Sequence, residues 1–252
     1  MALPTFVAAG AEASNAAAIT VGLPAGIATD DILLLLLATS NEAIAIANAN
    51  GGTWTELPSS PQGTGTPAGA AATRLTVFWS RYNGTQGDPT TTDSGDVNEG
   101  VILAFRGCIT TGDPWNVTSG GVDTVSDTSV VIPGDTTTVA DCLVVAITAD
   151  SFASTSPRLS AWANADLANV TEVWDEGTTL GQDVGVGAAT GEKATAGAYG
   201  DTTATLAGAS VKAFLTIALI SAGGGGGGPG QPMAMRVGGI PGMGRRGFGR
   251  GW

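Results

Sequence analysis

The chain has 252 residues, 43% of them hydrophobic and only 13% charged, with a formal net charge of −12. That length supports one large β domain or two small ones with a real core. No histidine is present, which removes the commonest general base and metal ligand, and with them most catalytic triads and zinc sites.

The start, "MALPTFVAAG", lacks the basic stretch of a secretory signal, so synthesis and retention in a cytoplasm are expected. "ILLLLLAT" after Asp31 is apolar on both faces, the pattern of a central strand covered on both sides. "NEAIAIANAN" is the best helical candidate, and it is short. "SSPQGTGTPAG" supplies turn residues. In "TRLTVFWSRY", Leu75, Val77 and Trp79 share one face of a strand while Thr76, Phe78 and Ser80 share the other. "NGTQGDP" and "TTGDP" are further turns on either side of the strand "VILAFRG". "DCLVVAIT" repeats the two-faced apolar pattern, and "VKAFLTIALIS" is the last strand. The longest apolar runs are too short to span a bilayer as helices, and no membrane partner is expected.

An internal repeat organises these elements. "LPAGIATDDILLLLLAT" resembles "IPGDTTTVADCLVVAIT", aligning Asp31 with Asp141 about 110 residues on. Thr55-Glu56 then matches Thr171-Glu172, and "VILAFRG" matches "FLTIALI". Each half offers too few strands to cover both faces of its own sheet. Two halves facing each other make an antiparallel β-sandwich with one shared core. The expected fold is therefore all-β, a duplicated sandwich with halves at about 1–120 and 121–222. Jelly-roll connectivity is the first choice and another Greek-key sandwich the second.

Few residues of this sequence could carry chemistry. Without histidine, an acid–base site needs paired carboxylates, and Asp30 with Asp31 or Asp175 with Glu176 are the available pairs. Both pairs adjoin turns, where solvated carboxylates are the rule, so no catalytic residue is expected. In "TTDSGDVNEG", Asp93, Asp96, Asn98 and Glu99 offer oxygens for calcium, but their spacing is not that of an EF-hand loop. No metal or cofactor is expected. Among the tryptophans, Trp79 reads as core, Trp54 and Trp174 as packing at matching corners of the repeat, and Trp115 as partly exposed, leaving a carbohydrate platform as an alternative. Asn83, Asn116 and Asn169 begin glycosylation-type triplets that are more simply Thr-rich β sequence. Cys108 and Cys142 adjoin hydrophobic runs and read as buried core thiols, with their pairing left open.

Several stretches resemble a diffuse group of bacteriophage β-sandwich virion proteins, tail-associated or decorating capsids. They are the turn Pro24-Ala25-Gly26, Asp31 before its strand, the corner Gly52 to Thr55, and the strand end Ala104 to Gly107 followed by Pro114. The resemblance covers about residues 5–120. It implies a structural virion component, made in the host bacterial cytoplasm, that assembles with itself and with other virion proteins, a trimer being one such symmetry. The alternative is a carbohydrate- or receptor-binding module of a virion, with a host surface glycan as partner, and behind it a polysaccharide-active enzyme.

The last segment stands apart. Arg236, Arg245, Arg246 and Arg250 follow a run of six glycines, and no acidic residue lies beyond position 222. The first 222 residues hold the other six cations against all 22 acids, a net of −16. A body this acidic is a poor binder of nucleic acid, because phosphate affinity comes from Lys and Arg. Glycine-rich chain loses much entropy on ordering, so residues 223–252 are expected to act as a strap against a partner. Its candidate contact residues are Met233, Met235, Arg236, Ile240, Arg245, Arg246, Phe248, Arg250 and Trp252. The competing reading is an RGG-like nucleic-acid segment.

Overall fold

A computed structural model describes residues 2–223, and these contain strands and no helix. The first half contributes β1 (Thr5–Ala9), β2 (Ala13–Asn15), β3 (Ile32–Thr39), β4 (Ile46–Asn48), β5 (Thr55–Glu56), β6 (Gln62–Thr64), β7 (Thr73–Arg81), β8 (Thr90–Thr91) and β9 (Asn98–Arg106). The second contributes β10 (Trp115–Ile132), β11 (Asp135–Thr137), β12 (Cys142–Asp150), β13 (Leu159–Ala163), β14 (Ala168–Thr178), β15 (Val184–Lys193), β16 (Gly197–Tyr199) and β17 (Thr202–Ile220). The helical candidate at 41–50 is instead a loop carrying β4.

Each half builds one antiparallel sheet. The first runs β1-β9-β3-β7-β5, and the second β10-β17-β12-β15-β14. Numbered within its half, each sheet has the order first, fifth, second, fourth, third. The shared order is evidence for duplication independent of residue similarity. The two sheets face each other across one core of Ile32, Leu34, Leu36, Leu103 and Phe105 against Leu143, Val145, Ile147, Leu215 and Ile217. Connectivity departs from the jelly roll expected. There the chain passes repeatedly between sheets, whereas here one sheet is finished before the other starts. The second sheet begins at Trp115, so residues 115–120 belong with it.

The pairing also corrects the repeat's register. Inward Ile32 and Leu34 occupy the places of Leu143 and Val145, which makes Asp30, not Asp31, the counterpart of Asp141. Asp30 and Asp141 share a positive φ, 73° and 58°. A shift of one residue turns every side chain to the other face, so burial decides between the two alignments. Thr55 and Thr171 do correspond, as they pair with equivalent positions Trp79 and Thr190.

Both outer faces are covered, which is why β3 and β12 are buried along their whole length. Over the first sheet, Ile19, Val21 and Ile44 pack on Leu33, Leu35 and Leu37. Over the second, the cover is made by the same strands that form the sheet. Thr216 pairs with Ser119 and Thr202 with Ile132. Along a straight strand Thr216 would lie about 45 Å from Thr202. Yet Thr216 Oγ1 donates to the carbonyl of Pro133 at 2.8 Å. The β10–β17 ribbon therefore doubles back, and Val130, Ile132, Ala204 and Leu206 pack on Ala146 and Phe214. Strand β13 joins this outer layer by pairing with β17 at Leu206 and Thr205.

The alternation in "VGVGAATG" records that close cover. Val184, Val186 and Ala188 face the inter-sheet core. On the other side a Cβ at Gly185 would strike Arg158, one at Gly187 would strike Leu159, and one at Gly191 would press on Leu167. Glycine at these three positions admits a second layer against the backbone.

Candidate functional site

The bend of the ribbon is pinned by a buried cation. Lys212, with its side chain fully buried, donates to Asp123 at 3.0 Å and Asp127 at 2.9 Å, on either side of an irregularity in β10. The ammonium draws two carboxylates of one strand together across the unpaired stretch, and the pairing resumes in the new direction. Hydrogen bonding to Lys212 holds the Asp127 carboxyl below its usual range. A lysine inside "VKAFLTIALI" was the available signal, since a charge in an apolar strand needs a partner.

Where the two limbs of β10 approach, they leave an open crease of about 360 Å³. Gly120, Gly121 and Val122 form one side, Val131 and Pro133 the other, and Phe214 is at its floor. Strand β10 is an edge of its sheet. It carries three of the four exposed large hydrophobic residues among those described, Val122, Val125 and Val131, the fourth being Leu180. Sequence reasoning passed over this strand because "SGGVDTVSDT" is polar, short of β-branched runs and glycine-bearing.

A second buried charge cluster lies elsewhere on the same outer face. Arg158 is ion-paired with Asp150, both essentially unexposed, and its Nη1 donates to the Glu176 carbonyl at 2.9 Å. Asp175 accepts the backbone N–H groups of Arg158 and Leu159 at 2.5 and 2.8 Å. These contacts fix the start of β13, while Asp150 Oδ2, Arg158 Nε and Asp175 Oδ1 are buried without a hydrogen-bond partner.

The other expected candidates are dispersed. Asp31 is held by Arg106 in a two-pronged pair, Nε to Oδ1 at 2.9 Å and Nη2 to Oδ2 at 2.7 Å, and Arg106 also donates to the Gly26 carbonyl. This contact explains the two motif segments physically: the Pro24-Ala25-Gly26 turn and the strand end at Arg106 touch. Asp175 and Glu176 are successive strand residues and point to opposite faces. Of the calcium candidates, Asp93 accepts from Gly95, Asp96 accepts from Ser40 and from the Gln182 backbone, and Asn98 donates to Ala17. Glu99 points instead into the inter-sheet core, on the same face as Val101 and Leu103, with both carboxylate oxygens buried and unpartnered. Burial pushes its pKa well above the ordinary value. Among the described residues no three acidic or cysteine side chains are grouped to hold a metal ion.

Trp79 and Trp115 meet edge to face at 5.2 Å and pack against the inter-sheet core. Trp54 packs outside the first sheet and Trp174 between the sheets, so they are not matching corners of the repeat. Trp162, half-buried, donates its indole N–H to Glu172 at 2.7 Å. The side chains of Asn83, Asn116 and Asn169 are all hydrogen-bonded locally, to Gly51, Thr138 and Glu192. Cys108 and Cys142 are free and buried, and sit on opposite sides of the end of β17, opposite Ser221 and Ile220. Burial raises their thiols to about 12 and about 11.

The strap residues Met233, Met235, Arg236, Ile240, Arg245, Arg246, Phe248, Arg250 and Trp252 lie outside the described residues. Within residues 2–223 no helix is long and apolar enough to cross a membrane. The chain matches no family model, no curated protein and no solved structure.

Proposed function

We propose that the chain is a non-enzymatic structural protein of a bacteriophage virion, a tail or fibre component or a capsid decoration. It assembles as a homo-oligomer in which residues 223–252 contact neighbouring subunits. The observation that carries this reading is the division of charge. Within the body, Arg106, Arg158 and Lys212 are taken up by carboxylates, and Arg81 and Lys193 donate to backbone carbonyls. Residues 1–222 carry 22 acidic groups against six cations, while four arginines sit on a tail free of acidic residues. An identical neighbour offers that tail the acidic surface that its arginines suit. The resemblance of the Pro24–Gly26, Asp31 and Ala104–Gly107 segments to phage virion proteins supplies the context.

Light scattering on the full chain, beside a variant with the four tail arginines changed to serine, tests the assembly. The native chain is expected to be oligomeric and the variant to dissociate at lower salt. A native monomer, or a variant that assembles equally well, overturns it. Locating the protein in an imaged phage particle tests the virion context.

A glycan-binding module of a virion is the second reading, favoured by the partly buried Trp162 ring beside the Glu172 carboxylate. A glycan array probed with the assembled oligomer separates the two, since a purely structural protein binds none.

A further inference from the structure

We propose that the crease along β10 is the docking surface for the tail of a neighbouring copy, with residues 233–237 adding as a strand to the β10 edge. This rests on the assembly reading above and names the surface it uses. Three features of the body converge there. Strand β10 is a sheet edge of two limbs that meet at the bend between Asp123 and Asp127, and edges offer unpaired N–H and C=O groups as a template for another strand. Sheets usually blunt such an edge with lysine or proline, and β10 contains neither. The exposed valines of the body are concentrated on it, beside a crease floored by Phe214 and bordered by two glycines.

The tail supplies a matching sequence. In "MAMRV" the larger apolar residues alternate with Ala234 and Arg236, the pattern of a strand with one face buried. Extended against β10, it turns Met233, Met235 and Val237 towards Val122 and Val131. Unbranched methionine suits the uneven space beside Gly121, where a Cβ would only just touch Pro133. Arg236 then lies on the opposite face, near a corner where Lys212 faces two carboxylates and leaves one negative charge over. Main-chain pairing gives such an added strand its affinity and alternate side-chain pockets give it its register. The ten residues between Ala222 and Met233 span at most about 35 Å, with a mean reach near 17 Å for glycine-rich chain, enough to leave the parent body.

Two full-length variants test this, Val122→Cys and Met235→Cys; the native thiols are buried and do not compete. Mixed in equal amounts and oxidised, they are expected to give a disulfide-linked dimer far faster than either variant alone. In a separate chain, Val131→Asp is expected to weaken self-association at least tenfold with an unchanged circular dichroism spectrum. A cross-link that forms only within a chain carrying both substitutions overturns the proposal, because the tail then docks on its own body. An oligomer that shows no cross-link and tolerates Val131→Asp also overturns it while leaving the assembly reading intact. A native chain that stays monomeric at every concentration removes the assembly reading, and the crease with it.

Discussion

Arg158 and Asp150 form an ion pair with 0% and 1% of their side chains exposed, on the outer face of the second sheet. The pair is packed against Gly185, where a Cβ would occupy the guanidinium's place. Arg158→Ala leaves a carboxylate buried without its cation and is expected to cost about 3–5 kcal/mol. Replacing both partners with apolar residues, as in Arg158→Met with Asp150→Leu, is expected to recover most of that loss. Gly185→Ala pushes the guanidinium off the backbone and is expected to cost about 1–3 kcal/mol. Urea unfolding of the four proteins at one pH measures all of these.

Glu99 sets a pH dependence of definite sign. Its folded-state pKa lies well above the ordinary 4.5, chiefly through burial. Between those two values the folded chain keeps a proton that the unfolded chain releases. Stability therefore falls as pH rises through this window, by up to about 1.4 kcal/mol per pH unit. Glu99→Gln is expected to flatten that slope and to gain on the native chain steadily above pH 4.5. Denaturant midpoints across pH 4 to 9 decide it, and parallel curves for the two proteins would count against a buried, protonated Glu99.

At acid pH the ribbon's corner works in the opposite direction. The Asp127 carboxyl is held below its ordinary 3.8 by Lys212, so its contribution is complete above 3.8 and lost as pH falls through the folded value. Lys212→Gln is expected to loosen the outer limb, residues 125–132 and 202–210, more than the inner sheet. Amide hydrogen exchange reads this directly: faster exchange confined to those segments is the expected result, and uniform acceleration would argue against a local pin.

The two thiols are expected to be silent in the native protein. With values near 12 and 11 they carry almost no thiolate at neutral pH, and both are buried. A disulfide is excluded by placement, since β17 separates their backbones by about two strand spacings, roughly 10 Å. A thiol-reactive dye should report no group in the folded chain and two after denaturation.

Much of the sandwich was legible because it depends on alternation and on burial. "ILLLLLAT" and "DCLVVAIT" announced central strands, and they are the central strands. The repeat predicted two facing halves, and its one-residue error at Asp31 arose because both faces of those strands are apolar, leaving the pattern no phase. The doubled-back ribbon was not legible. Its bend depends on Lys212 meeting Asp123 and Asp127, residues almost 90 positions apart in sequence that no local pattern links. Glu99 misled for a similar reason: beside Asp93 and Asp96 it looked like part of a solvated loop, yet it opens a strand and faces inward.

The strand order also sets a schedule for synthesis. The first sheet is closed by β9, so all its strands are available once the ribosome has released residue 106. The second cannot close so early, because β17 lies between β10 and β12 and supplies the inner sheet and the outer layer alike. Until residues 202–220 emerge, the apolar face of the first sheet has no finished partner, and aggregation is the hazard of that interval. The crease exists only after β17 has doubled back. Residues 233–237 therefore have no receptor on any copy whose last body strand has yet to fold.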